Sequence, residues 1–130
     1  MPATHSYDYA IVRVVPRVER SEFINAGVIL FCRVRRFLHA AVELDRERLR
    51  ALMPCVDVEE VERHLAAIPL ICEGGQAAGP IGTLNMAERF HWLVSPRSTV
   101  VQPSPVHCGL CDDPAWELQH LLNTMVRRLE

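Results

Sequence analysis

The sequence predicts an α+β domain in which helices pack on one face of a mainly antiparallel sheet. Apolar segments rich in Val, Ile and Phe come first along the chain, and segments with helical spacing follow them. Strands followed by helices are typical of the α+β class, and short connections favour antiparallel neighbours. A chain of 130 residues has room for one hydrophobic core, so we predict a single domain over residues 1–130.

The predicted strands form a three-stranded meander plus one short later strand. Their ranges are 7–15, 23–32, 37–44 and 99–102. The first is apolar on both faces except at Arg13, which is typical of a central strand. Asn25 and Gly27 interrupt the second, which indicates a bulge or a close backbone approach. Pro103 confines the fourth to an edge or an end of the sheet.

Each predicted helix is preceded by a residue that can cap its first turn. These residues are Asp45, Asp57, Thr83 and Asp113. We expect Pro69 to end or kink the second helix, and residues 73–82, which contain four of the six glycines, to form a loop. Pro114 then favours the start of the last helix. Its apolar stripe is Leu118, Leu121, Leu122, Met125, Val126 and Leu129.

The composition excludes several classes of enzyme. All 14 basic residues are Arg, and the chain contains no Lys. Schiff-base enzymes, P-loop nucleotide-binding proteins, protein kinases and serine enzymes of the SxxK type all require a Lys. Arg cannot replace it as a base, because a guanidinium keeps its proton at neutral pH.

Charge and cysteine content indicate the surroundings of the protein. The formal net charge of −2 argues against general affinity for nucleic acid, which requires a basic surface. No apolar run is long enough to span a bilayer, and the first residues lack the pattern of a signal peptide. The five Cys residues are an odd number. We therefore expect reduced thiols and a cytoplasmic location.

The densest polar stretch runs from residue 88 to residue 107, and its prolines restrict its loops. Arg offers a rigid fork for carboxylate or phosphate, and hydroxyl groups add directional donors. We predict a site that binds an anionic group here. In the alternative, structural interpretation, Arg97 pairs with an internal carboxylate such as Glu88 or Asp112, and Ser98 and Thr99 satisfy loop backbone. The candidate residues are Arg89, Arg97, Ser98, Thr99, Gln102, Ser104 and His107.

His107, Cys108 and Cys111 resemble half of a metal site. Zinc requires four ligands, and a CxxC pair normally comes with a second pair. The other Cys residues are isolated along the chain, so we favour no metal and no cofactor. A set of these three residues with one distant fourth ligand remains the alternative.

Two functional classes, and a third structural one, stay open. The favoured class is a non-catalytic binding or accessory module that uses the polar stretch to hold an anionic group or a protein partner. The alternative is a small hydrolase or transferase with His107 as acid/base and Arg97 stabilising an anion. We favour the first because no complete nucleophile–base–orienter set can be assembled from the sequence. The third possibility is a homodimer formed through a sheet edge or an apolar helix face.

Two stretches together resemble a known bacterial family. They read YDYAIVRVVPRVERSEFINAGVIL from Tyr7 and ERFHWLVSPRSTVVQPSPVHCGLCDD from Glu88. They are similar to the family of domain of unknown function 3037, and the likeness covers nearly the whole chain. The resemblance implies a small bacterial cytoplasmic protein without an established activity or cofactor. It also implies a protein partner, because members are often encoded beside a HipA-like kinase.

Overall fold

A computed structural model describes residues 4–128 of the protein. Its sheet has five antiparallel strands in the order β3-β2-β1-β4, and β5 also pairs with β1. The strands are β1 (His5–Val14), β2 (Ile24–Cys32), β3 (Phe37–Val42), β4 (Val101–Pro103) and β5 (His107–Cys111). The α+β class and the predicted meander are confirmed. β5 was not among the predicted strands.

The first two strands form the centre of the sheet and are offset by a bulge. Their register shifts between Val12, which faces Gly27, and Arg13, which faces Asn25. Ala26 is the additional residue, so the prediction of a bulge in this segment is confirmed. A Cβ atom on Gly27 would lie 2.8 Å from the carbonyl oxygen of Ala41, so the backbone of β3 also requires glycine here.

Helices cover both faces of the sheet, which corrects the expectation that they share one face. The helices α1 (Arg46–Leu52), α2 (Val58–Glu73) and α3 (Met86–Leu93) pack on one side, and α4 (Pro114–Leu121) packs on the other. The physical reason lies in β1 and β2, whose side chains are apolar on both faces. Both faces must be covered to remove this surface from water.

α2 continues through Pro69 to Glu73, so the helix does not end at this proline. A proline inside a helix costs about 3 kcal/mol because it removes a hydrogen bond and crowds the preceding turn. Residues on both sides of it, Leu65, Ile68 and Ile71, are buried against the sheet and offset that cost. The helix ends at Gly74, whose φ of 76° lies in the region that favours glycine.

Three of the four predicted capping residues cap helices, and Thr83 does not. Asp45, Asp57 and Asp113 accept hydrogen bonds from backbone N–H groups of α1, α2 and α4. The glycine-rich stretch ends in a 3₁₀ turn, Gln76–Thr83, and Asn85 caps α3 with a capping box. Thr83 instead donates its hydroxyl to the carbonyl oxygen of Pro80.

The last helix begins at Pro114 as predicted and changes into a π-helical turn over Leu122–Val126. Leu118, Leu121, Leu122 and Val126 are buried against β1 and β2. Met125 is exposed, and the predicted stripe residue Leu129 lies outside the described residues. Between residues 4 and 128 no helix has both the length and the apolar character that a bilayer crossing demands.

Candidate functional site

A groove of about 570 Å³ lies beside the sheet, between α2, α3 and β4. Its floor is formed by Val12 and Ile29 of the sheet, and most of its walls are apolar. Its volume falls in the range of small-molecule sites. The lining residues from the helices are His64, Ala67, Ile68, Ile71, Trp92 and Leu93. The remaining ones are Val18, Arg97, Ser98, Thr99, Val100, Val101, Gln102 and Pro103.

Arg97 lies at this groove and is held in place by the end of α3. Its guanidinium stacks on the ring of Trp92, with 4.8 Å between Cζ and the ring centroid. Nη2 donates to the carbonyl oxygen of Trp92 at 2.6 Å, and Nε donates to that of Ser95 at 3.3 Å. These contacts hold the guanidinium in one orientation.

No carboxylate of the described chain forms an ion pair with Arg97. The Glu88 side chain accepts from the backbone N–H of Asn85, and a carboxylate oxygen of Asp112 accepts from the Thr4 hydroxyl. The alternative that Arg97 pairs with one of these two acids is therefore wrong. The positive charge of Arg97 has no carboxylate counterion within residues 4–128.

Ser98, Thr99 and Gln102 border the same groove. Thr99 donates its hydroxyl to the carbonyl oxygen of Val101 at 2.7 Å, and Gln102 Nε2 donates to the carbonyl oxygen of Thr99 at 2.7 Å. These two side chains fix the loop, as the structural interpretation expected of the hydroxyls. Ser98 is exposed at the groove. Binding of an anion by this group of residues remains a prediction.

Arg89 lies away from the groove, in the interior. It is 8% exposed, and its guanidinium donates to the carbonyl oxygens of Leu84 at 3.0 Å and Cys72 at 3.3 Å. A Cβ atom on Gly74 would lie 2.7 Å from Arg89 Nη1, so this glycine makes room for the guanidinium. The contacts join the end of α2 to the start of α3, which is a structural role.

Cys72 contributes its backbone carbonyl to Arg89, while its thiol is buried among apolar side chains. Burial raises the pKa of this thiol to about 12. The thiol therefore stays protonated at neutral pH and is not a nucleophile. The surroundings of the Arg89 guanidinium are enclosed rather than open at the surface.

Ser104 is likewise used inside the fold. Its hydroxyl accepts from the backbone N–H of Ile11 at 2.8 Å and donates to the carbonyl oxygen of Pro105 at 2.9 Å. The residue is 3% exposed and lies where the chain passes from β4 to β5. Its side chain replaces a strand hydrogen bond at that point.

His107 begins β5, where it faces Tyr9 with 5.4 Å between ring centroids. It does not line the groove that Arg97 borders. The hydrolase or transferase alternative joined these two residues in one site, and the structure does not bring them together. The polar stretch 88–107 thus divides into a groove portion, two buried structural residues and one residue on a separate strand.

The metal half-site that was kept as the alternative has the wrong geometry. Cys108 and Cys111 lie three residues apart on β5, so their side chains point to opposite faces of the sheet. Cys111 is buried, while Cys108 is exposed and donates its thiol hydrogen to Asp8. Within residues 4–128 no three His, Cys, Asp or Glu side chains are grouped to hold a metal ion.

The helical wall of the groove was not among the predicted site residues. His64, Ala67 and Ile71 recur at helical spacing on α2 beside the buried stripe, and this spacing was the available signal. Trp92, which supports Arg97, was also unassigned. His64 Nε2 lies 3.8 Å from Glu60 Oε1, one turn earlier on α2. His64 therefore has an acidic neighbour, whereas Arg97 has none among the described residues.

The fold and the groove define a class of protein, a small α+β domain with an apolar, laterally open groove beside a sheet edge. The chain belongs to the family described as Protein of unknown function (DUF3037), whose model matches residues 9–126. This match confirms the resemblance found in the sequence. No curated protein and no solved structure matches the chain. Any function must therefore be argued from the groove itself.

Proposed function

We propose that this protein is a non-catalytic binding module whose groove holds an amphipathic anion, a small molecule with an apolar body and one carboxylate or phosphate. The observation that carries the proposal is the fixed guanidinium of Arg97, without a carboxylate counterion in the described chain, beside an apolar groove. A small number of placed polar groups in an apolar cleft is typical of ligand sites.

The apolar body would lie against Ile68, Ile71 and Leu93, between the sheet and the two helices. Removing this surface from water supplies a favourable free energy that is independent of charge. The anionic end would lie at Arg97, whose remaining N–H donors can form charge-assisted hydrogen bonds. Ser98 offers an additional hydroxyl at the same place.

An extended peptide that adds a strand is a poorer fit for this groove. The backbone groups of Val100 and Ser104 are bonded to β1, through Val15 N–H and the Ile11 carbonyl. The backbone groups of the alternate residues, Val101 and Pro103, therefore point outward from the sheet. Pro103 has no N–H, and the Val101 carbonyl already accepts from Thr99. A ligand held by side chains therefore suits the site better.

Binding is favoured over catalysis because the groove lacks a nucleophile–base pair. Among the hydrogen bonds of residues 4–128, none joins a hydroxyl of the groove to His64. A nucleophilic mechanism requires such a contact together with a group that orients the base. His107, the acid/base of the alternative, lies outside the groove.

The test uses 4-phenylbutyrate, with uncharged 4-phenylbutanol and phenethyl phosphate as comparison ligands. Chemical-shift titration should place 4-phenylbutyrate in the groove with a Kd on the order of 1 mM, as expected for so small a ligand. Arg97→Gln should weaken 4-phenylbutyrate about 10-fold and leave 4-phenylbutanol nearly unchanged, because one charge-assisted contact is lost. Phenethyl phosphate distinguishes phosphate from carboxylate recognition.

Arg46→Gln is the matched control, because Arg46 is an exposed arginine that pairs with Glu62 away from the groove. It should bind 4-phenylbutyrate like the unmodified protein. Ala67→Trp should fill the groove and weaken both ligands. Equal binding of 4-phenylbutyrate and 4-phenylbutanol, or the same loss in both arginine variants, would refute recognition of the anion.

The HipA-like kinase that the family resemblance implies as a partner remains a prediction. Co-expression of this chain with such a kinase and gentle co-purification would check it. Recovery of the two chains in a constant ratio would support the partnership. Complete separation on the first column would count against it.

A further inference from the structure

The outer edge of the sheet differs between its two parts, β4 and β5. Both pair with β1 on the side opposite β2. The edge of β4 offers one outward N–H and is closed by Pro103. The edge of β5 contains neither proline nor a Lys, Arg, Asp or Glu residue. Natural sheets commonly protect their edges with these residues, and β5 lacks them.

The direction of the backbone groups of β5 follows from β1. Ile11 exchanges hydrogen bonds with Ser104 on the outer edge, so the odd-numbered residues of β1 direct their backbone groups to that edge. The register pairs Tyr7 with Gly109 and Tyr9 with His107. Residues 107, 109 and 111 are thus bonded to β1, and Cys108 and Leu110 direct their N–H and C=O groups outward.

This strand is firmly built into the sheet. A Cβ atom on Gly109 would lie 2.6 Å from the ring of Tyr7, so the ring packs directly over the glycine. Tyr7 in turn donates its hydroxyl to Glu117 at 3.0 Å on α4. The outward groups of β5 therefore have a fixed position.

Apolar side chains beside this edge are exposed to an unusual extent. Leu110 is 70% exposed, Trp116 is 61% exposed and Val106 is 42% exposed. Leu110 and Trp116 border the same surface hollow. Exposed apolar surface next to unpaired strand groups is typical of a pairing site.

We propose that β5 pairs antiparallel with β5 of a second copy of this chain across a two-fold axis at Gly109. Cys108 then lies opposite Leu110 of the partner subunit, and the outward groups of both residues face each other. This register uses every outward N–H and C=O of the two residues in both copies. The sheet becomes continuous through the dimer, and each exposed Leu110 gains a neighbour.

The charges beside the strand are compatible with this arrangement. Asp112 and Asp113 follow β5, and the same register places them opposite Val106 and Pro105 of the partner subunit. Like charges therefore do not meet across the axis, whereas like charges directly opposite each other destabilise a strand pair. Pairing with a second copy is favoured over pairing with a strand of another protein. The same uncharged strand supplies matching N–H and C=O groups on both sides of the axis.

The test is sedimentation of the full chain in reducing buffer over a range of concentrations. Because the interface is small, we expect a concentration-dependent dimer with a Kd on the order of 100 µM. Two double variants at exposed positions separate this register from others. Cys108→Lys with Leu110→Glu places opposite charges across the axis, and Cys108→Lys with Leu110→Lys places like charges there.

The oppositely charged variant should dimerise at least about 10-fold more tightly than the Lys–Lys variant, since two attractive cross-strand pairs in the one dimer replace two repulsive pairs in the other. Both variants should keep the circular dichroism of the unmodified protein. A protein that stays monomeric at millimolar concentration overturns the proposal. Equal dimerisation of both variants, or a dimer that forms only without reductant, overturns it as well.

Discussion

Arg89 and Arg97 come from the same polar segment, and the fold gives their guanidinium groups different surroundings. Arg89 is buried and donates to carbonyls at the ends of two elements. Arg97 stacks on Trp92 and borders the groove. The same residue type thus joins elements where it is enclosed and remains available to a ligand where it is partly open. Burial decides the role, because an enclosed guanidinium takes its hydrogen-bond acceptors from the fold, although Nε of Arg89 is buried without a partner among residues 4–128.

The largest expected effect is that of Arg89→Gln on stability. Loss of this guanidinium leaves the carbonyls of Leu84 and Cys72 without their donor in a closed site, so the free energy of unfolding should fall by about 3 kcal/mol. Urea unfolding followed by circular dichroism measures this. A loss below about 1 kcal/mol would contradict the structural role.

Ser104→Ala should have the next largest effect. It leaves the buried N–H of Ile11 without its acceptor and should lower the free energy of unfolding by about 2 kcal/mol. Ser98→Ala, which changes an exposed hydroxyl in the same segment, is the matched control and should be nearly neutral. Equal losses in the two variants would show that Ser104 is not special.

Because the pKa of the buried Cys72 thiol is raised, we expect the free energy of unfolding to depend on pH in the alkaline range. Its folded pKa of about 12 lies above the ordinary value of 9.0, so the unfolded chain loses this proton first. The contribution to stability is complete below pH 9 and is lost as the pH rises toward 12, by at most about 1.4 kcal/mol per pH unit.

Cys72→Ala should remove this part of the alkaline slope, and urea unfolding from pH 8 to pH 11 tests it. The comparison is between the slopes of the two proteins, because other groups titrate in both. Cys55→Ala, at an exposed thiol, should leave the slope unchanged. Parallel curves for the unmodified protein and Cys72→Ala would show that the thiol is hydrated.

The smallest expected effect on stability is that of Arg97→Gln. Its guanidinium has no carboxylate partner among residues 4–128, and its stacking on Trp92 takes place at the surface. The free energy of unfolding should change by less than about 0.5 kcal/mol. A loss as large as that of Arg89→Gln would indicate that both arginines are structural.

Most of the fold follows from local patterns, whereas the site does so only in part. Asp57 and Asp113 identify helix starts because a cap depends on three or four neighbouring residues. The continuation of α2 past Pro69 was not predicted, because the sheet that buries Leu65, Ile68 and Ile71 comes from residues distant along the chain. Arg97, Ser98, Thr99 and Gln102 share the groove, but nothing local separates them from the buried Ser104.

The sequence alone determined the meander, the bulge near Gly27, the limits of most helices and the exclusion of Lys-dependent chemistry. These follow from periodicity, from caps and from composition, which act over short distances. The tertiary structure alone decided that helices cover both faces, that β5 is a strand and that Arg89 is enclosed while Arg97 borders a groove. Each of these depends on which surfaces meet in space, and burial is a property of the assembled chain.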